Sequence, residues 1–171
     1  LPVITDYVAK KYGDENLAVV SPDAGRIKVA EAWSKRLNGA PLAFIHKTRD
    51  VTRPNQSVAN RVVGSVEGRT CLLVDDMIDS GGTICHAADA LMNAGAVSVV
   101  IASTHAIFSD PALERLANSV AREVIVTDTL PITDEKKFDK LTVLSIAPLL
   151  SQAIREVFED GSVTSMFDEM E

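Results

Sequence analysis

Cysteine is scarce in this 171-residue chain. The two present, Cys71 and Cys85, form neither a Cys-x-x-Cys pair nor a zinc-ligand spacing. A disulfide scaffold and a cysteine-based metal site are therefore not expected, and both residues read as buried free thiols of a reducing compartment, the cytoplasm. Long apolar runs are missing as well: no stretch approaches the ~20 residues that span a bilayer, and no charged-then-apolar leader opens the chain. A membrane partner is excluded on that reading. Positive charge is in deficit, with 17 Lys and Arg against 24 Asp and Glu and a formal net charge of −7. Such a chain repels nucleic acid unless its cations cluster on one face. Neither a GxxxxGK[ST] loop nor a GxGxxG loop occurs, and there is no internal repeat or low-complexity tract.

What is present suits one compact domain. At roughly 150 residues per domain, the chain has room for one and not for two of full size. The apolar fraction is 46% and the charged fraction 24%, ordinary for a globular protein and wrong for a disordered one. The chain opens Leu1-Pro2 rather than with methionine, as expected of a fragment or a processed product.

Hydrophobic periodicity alternates between two kinds of segment. Helical spacing marks 1–12, 28–37, 83–93, 111–118 and 148–158, several of them stopped by Gly or Asn. Short apolar runs bounded by turn residues mark strands at 17–21, 42–46, 61–66, 70–74, 97–103, 123–127 and 141–146. Trp33 and Phe44 are expected in the core. Strand–helix alternation with continuous apolar strands predicts an α/β domain, a mostly parallel sheet flanked by helices. One interval breaks the pattern. Residues 47–60, KTRDVTRPNQSVAN, are polar and aperiodic, and a loop of that length in a compact domain is usually functional or disordered.

In such sheets ligands bind beyond the carboxyl ends of the strands. The densest chemistry there is Leu72-Leu-Val-Asp75-Asp76-Met-Ile-Asp79-Ser80-Gly81-Gly82-Thr83. The glycines permit positive φ and a close approach of backbone to ligand. Successive N–H groups at a helix start, with the hydroxyls of Ser80 and Thr83, make a nest for phosphate. Asp75 and Asp76 repel an anion, but they suit polyol hydroxyls or a cation. One end of the motif wants phosphate and the other wants hydroxyls, which a sugar phosphate satisfies together. The bland alternative, an N-capped helix after a surface turn, explains Asp, Ser and Thr at that position but not the acidic pair directly after a strand.

This motif resembles the phosphoribosyl-diphosphate loop of the type I phosphoribosyltransferase-like fold. Val20-Ser21-Pro22-Asp23-Ala24-Gly25, Ile45-His46-Lys47-Thr48-Arg49, Leu144-Ser-Ile-Ala-Pro-Leu-Leu150 and the ending Gly161–Phe167 accompany it in order. Together they are similar to the C-terminal half of ribose-phosphate pyrophosphokinase. The resemblance implies a magnesium-dependent transfer of pyrophosphate from ATP to ribose 5-phosphate, with 5-phosphoribosyl 1-diphosphate and AMP as products. It makes Lys47 and Arg49 catalytic on a loop that closes over substrate, and Asp23 a metal residue. Asp75, Asp76, Asp79, Ser80, Gly81, Gly82 and Thr83 become the ribose 5-phosphate site. It further implies a homo-oligomer, a hexamer in the family. It also implies that residues 1–171 form one phosphoribosyltransferase-like domain, and that most ATP contacts and a histidine metal ligand belong to an N-terminal half outside this chain. Where the family often has a second glycine, Arg26 stands. Two alternatives share the loop: a phosphoribosyltransferase that consumes the diphosphate, for which no base-binding segment is visible, and a non-catalytic ribose-phosphate-binding subunit. Of the remaining polar residues, His46, His86 and His105 read as structural or surface histidines. Asp128, Asp134, Glu135, Lys136 and Lys137 read as a solvated connection.

Overall fold

A computed structural model describes residues 1–48 and 59–164. In chain order it contains α1 (Pro2–Tyr12), β1 (Leu17–Ser21), α2 (Ile27–Arg36), β2 (Leu42–Thr48), β3 (Ala59–Val63), β4 (Thr70–Ile78) and α3 (Gly82–Asn93). These are followed by β5 (Ser98–Ala106), α4 (Ala112–Ala117), β6 (Glu123–Thr127), β7 (Leu141–Leu144) and α5 (Ala147–Phe158). The strands form one seven-stranded sheet in the order β3-β2-β1-β4-β5-β6-β7. Every neighbouring pair is parallel except β2 and β3. The α/β class expected from the alternation is the class observed.

The continuous apolar strands are explained by burial on both faces. On β4, Cys71 and Leu73 enter one core with α3 and α4, whereas Leu72 and Val74 enter a second core with α1 and α2. Trp33 is buried in the second core as expected, while Phe44 is only half-buried. Cys71 is a buried free thiol whose pKa burial pushes up to about 11, and Cys85 is free but half-buried. His46 and His86 are exposed.

Several boundaries differ from those expected, and those of β2, β3 and β4 differ for tertiary reasons. β2 runs on through Lys47 and Thr48, and β3 begins at Ala59, because the polar segment starts and ends as an antiparallel ladder pairing Thr48 with Ala59 and Lys47 with Asn60. β3 stops at Val63 rather than continuing to residue 66. Gly64 follows it with φ of 116°, and a Cβ there would lie 2.7 Å from the Leu42 carbonyl oxygen and from Ala43 Cβ. β4 continues four residues beyond Val74, through both aspartates, because β5 also extends and pairs alongside it as far as Ala106. α4 begins after Pro111 rather than at it, and β7 ends at Leu144. No residue of α5 is buried; Leu150, Ile154, Val157 and Phe158 of its apolar side are all more than half exposed.

The amino-terminal end of the sheet is pinned by a buried carboxylate. Glu123, 5% exposed at the start of β6, accepts from Tyr7 Oη (2.7 Å), Lys11 Nζ (2.9 Å), Thr142 Oγ1 (2.5 Å) and Tyr12 Oη. These donors come from α1 and β7, so one side chain ties a helix to two strands. Burial by itself would raise the Glu123 pKa; the donors from Thr142, Tyr12, Lys11 and Tyr7 outweigh it and hold it near 2. A lowered folded-state pKa stabilises the native protein above the unfolded value and loses that contribution as pH falls. Glu123→Gln is therefore expected to cost on the order of 3 kcal/mol at pH 7 in urea unfolding. The gap to wild type should shrink as pH drops from about 4.5 toward 2; a gap independent of pH would show that charge is not what Glu123 contributes.

Candidate functional site

The chain leaves β1 toward β2 on one side of the sheet and leaves β4 toward β5 on the other. Connections that diverge from two adjacent parallel strands leave a crevice at their carboxyl ends, where ligands of α/β sheets bind. The two strongest motifs in the sequence end at this crevice.

From β1, the buried Ser21 donates its hydroxyl to the Asp23 carbonyl at 2.6 Å. Asp23 then caps the short 3-10 turn Ala24–Arg26, its Oδ1 accepting from Gly25 N–H at 2.8 Å. The turn delivers Arg26 across the crevice to β4. There Nη1 meets Asp76 Oδ2 at 2.6 Å and Nε lies 3.4 Å from Asp75 Oδ1. Asp75 Oδ1 also accepts from the Asp76 backbone N–H at 2.9 Å. Burial, reinforced by the neighbouring Asp76 carboxyl, raises the Asp75 pKa to about 6. Burial pushes Asp76 the same way, but Arg26 and the contact with Asp75 outweigh it and Asp76 ends below its usual range. Two adjacent carboxylates pushed apart in this manner are a common feature of functional clefts. The crevice beside them, about 370 Å³, is lined by Lys28, Val29, Ala32 and Trp33 of α2, with Thr104 from β5.

From β4, the chain turns through Asp79, Ser80 and Gly81 into α3. Gly81 is its N-cap, with φ of 74°, a left-handed conformation that β-carbon-bearing residues adopt at a cost. Among the described residues no side chain caps the first turn, where helix starts usually recruit a partner for their N–H groups. With the exposed Thr83 and the half-buried Ser80, they can receive an anion. Arg115 of α4 braces the turn: its Nη1 donates to the Ser80 carbonyl at 3.0 Å.

Asp23, Asp75, Asp76 and the turn 79–83 are therefore at the carboxyl ends of two neighbouring strands. Lys47 is on β2, one strand further out, with its backbone paired to Asn60. Arg49 lies outside the described residues, as does most of the polar segment. His105 on β5 is hydrogen-bonded to Thr129 Oγ1 at 2.9 Å, a structural tie as expected. Asp128 is exposed and accepts from Ile146 N–H at 2.8 Å.

Three residues enter the site that sequence reading did not assign to it. Arg26 was visible only as a departure from a glycine; nothing local reveals that it reaches Asp75 and Asp76. Arg115 gave no signal, since its target is a backbone carbonyl. Ser103, fully buried on β5 in register with Asp75, has a hydroxyl with no hydrogen-bond partner among the described residues.

Among the described residues no group of three or more His, Cys, Asp or Glu is poised to hold a metal ion. The donors present suit a hard cation that takes one carboxylate from protein and its remaining oxygens from water and phosphate, the usual habit of Mg²⁺. Asp23, half-buried just beyond β1 with Oδ1 accepting from Gly25 N–H, is the candidate for that.

Residues 51–168 match the family model of the phosphoribosyl synthetase-associated domain. The chain is 62% identical over 170 residues to the ribose-phosphate pyrophosphokinase of Bifidobacterium longum, covering 98% of this chain and 50% of that protein. It is 61% identical over 166 residues to that of Mycobacterium tuberculosis, covering 97% and 51%. The crystal structure of phosphoribosylpyrophosphate synthetase from Mycobacterium smegmatis superposes with a TM-score of 0.84 at 58% identity, covering 92% of this chain and 50% of that one. An adenine phosphoribosyltransferase structure from Giardia lamblia, at 16% identity and a TM-score of 0.53, shares the fold. The chain thus spans about half the length of the curated relatives it matches.

The two glycines of the turn should respond oppositely to alanine. A Cβ on Gly81 meets only ordinary contacts, 3.6 Å from Ala112 and Leu116, so Gly81→Ala should cost about 1–2 kcal/mol from backbone strain alone. Gly82 is helical, and its added Cβ would sit 3.4 Å from the end of the flexible Arg115 side chain. Gly82→Ala should be neutral or stabilising by up to about 1 kcal/mol. Urea unfolding of both variants checks this; equal losses would mean that φ at Gly81 is not the constraint.

Proposed function

Because the chain belongs to the ribose-phosphate pyrophosphokinase family, we propose that it supplies the ribose 5-phosphate half of an enzyme that transfers pyrophosphate from ATP to that sugar. The products would be 5-phosphoribosyl 1-diphosphate and AMP. The observation that carries the reading is one continuous stretch of backbone, from Asp75 at the crevice to the uncapped start of α3. It offers carboxylates at one end and N–H groups with hydroxyls at the other. A pentose 5-phosphate presents hydroxyl donors and a phosphate acceptor within one molecule.

In this reading the phosphate lies over residues 79–83, held by N–H groups at a helix start and by the hydroxyls of Ser80 and Thr83. Asp75 and Asp76 accept from the ribose hydroxyls and so orient the 1-hydroxyl toward the crevice. A sugar held in this way meets the second substrate in a fixed geometry, which supplies much of the acceleration of a two-substrate transfer. Lys47 and Arg49 act on the transferred group, where a lysine and an arginine counter charge that accumulates on phosphate oxygens. Asp23 would hold magnesium, which when bound draws charge from the polyphosphate oxygens. ATP is the co-substrate, and the cytoplasm and a homo-oligomeric assembly are proposed with it. No helix among the described residues is long and apolar enough to cross a membrane.

The test is Lys47→Ala in the protein. Ribose 5-phosphate should bind within about threefold of wild type, while turnover falls by on the order of a hundredfold or more. Unchanged turnover would remove Lys47 from the reaction. Release of AMP as the sugar is consumed supports the pyrophosphoryl transfer. Release of pyrophosphate on adding a nucleobase would instead assign the chain to the phosphoribosyltransferases that share its fold.

A further inference from the structure

Arg26 lies among three carboxylates. Its guanidinium contacts Asp75 and Asp76 directly, and the charge of Asp23, on the same short turn, acts on it as well. The contact is unusual in shape: instead of gripping one carboxylate with both arms, Arg26 gives one nitrogen to each of two adjacent aspartates. Two neighbouring carboxylates at a strand end, beside a crevice and close to polyphosphate, are otherwise a natural seat for a divalent cation. With the guanidinium in place the three groups sum to one negative charge rather than two, and Asp76 Oδ2 is already engaged at 2.6 Å. The side chains involved are partly exposed, Arg26 at 37% and Asp76 at 41%, so the pairing adds little to folding stability. Its consequence is for what the acidic pair can bind.

We infer that Arg26 is a positioning residue that determines specificity at the Asp75–Asp76 pair: it serves as a built-in cation, fixing the orientation of the two carboxylates beside the sugar and keeping a divalent metal ion off them. The inference rests on the ribose 5-phosphate reading for the identity of the sugar, but the exclusion of metal does not. It separates two roles, leaving the magnesium proposed at Asp23 apart from the pair on β4, which is the seat of the pentose. Lysine could supply the charge at this place but not the two-armed reach, so it should restore the function only in part.

The experiment compares wild type with Arg26→Gln, Arg26→Lys and the double variant Arg26→Gln/Asp76→Asn. Bound Mn²⁺ is counted by electron paramagnetic resonance in the absence of nucleotide, and ribose 5-phosphate is titrated calorimetrically in metal-free buffer. Arg26→Gln should take up one Mn²⁺ per chain more than wild type, and the double variant should return to the wild-type count. Ribose 5-phosphate should bind about tenfold more weakly to Arg26→Gln, the loss of one charge-assisted contact, and Arg26→Lys should recover part of it. An unchanged Mn²⁺ count in Arg26→Gln overturns the inference. Failure of wild type to bind ribose 5-phosphate overturns the functional reading instead, while the Mn²⁺ counts still decide the role of Arg26.

Discussion

The ion pairing between Arg26 and the two aspartates joins the carboxyl ends of β1 and β4, neighbouring parallel strands that send their connections in opposite directions. Topology opens a crevice there, and the sequence spends its polar residues on filling it. The strands below are mostly apolar on both faces; they hold two short turns at a fixed separation. Once β1 and β4 are hydrogen-bonded, from Leu17 with Thr70 to Val20 with Leu73, the reach from Asp23 and Arg26 to Asp75 and Asp76 is settled by backbone geometry. The acidic pair then leads without interruption into the helix start that can receive phosphate.

Much of this was legible in the sequence because it is local. The limits of β1 and β6 follow from apolar runs with turn residues on either side, and the observed spans match them. The start of α3 follows from Ser-Gly-Gly-Thr, displaced by one residue. The parallel sheet with helices on both sides follows from strands such as 70–74 that have no polar face. The extension of β4 through Asp75 and Asp76 was not legible. A pair of carboxylates reads locally as the end of a strand, and only the length of β5 beside it carries the ladder onward. The same holds for Lys47 and Thr48, which look like loop and are strand because β3 returns antiparallel to pair with them.

Partners distant in sequence were invisible for a different reason. Glu123 sits at the head of an apolar strand, and four donors from two other elements decide its ionisation. No spacing rule connects Tyr7 or Tyr12 with it. Arg26 and Arg115 likewise look like ordinary surface cations until the fold sets one against two carboxylates and the other over the Ser80 carbonyl. Patterns in sequence report which residue types a strand end carries; they do not report which cation from a neighbouring element will neutralise them.

The Glu123 cluster lies two strands away from the acidic pair and, in the register that sets Leu72 beside Val100 and Val100 beside Glu123, three residues nearer the amino-terminal edge of the sheet. Rigidity and reactivity are therefore assigned to separate clusters of side chains that share no residue. A protein engineer could retune the heat tolerance of the protein through Tyr7, Lys11, Tyr12 and Thr142 without touching a residue of the crevice.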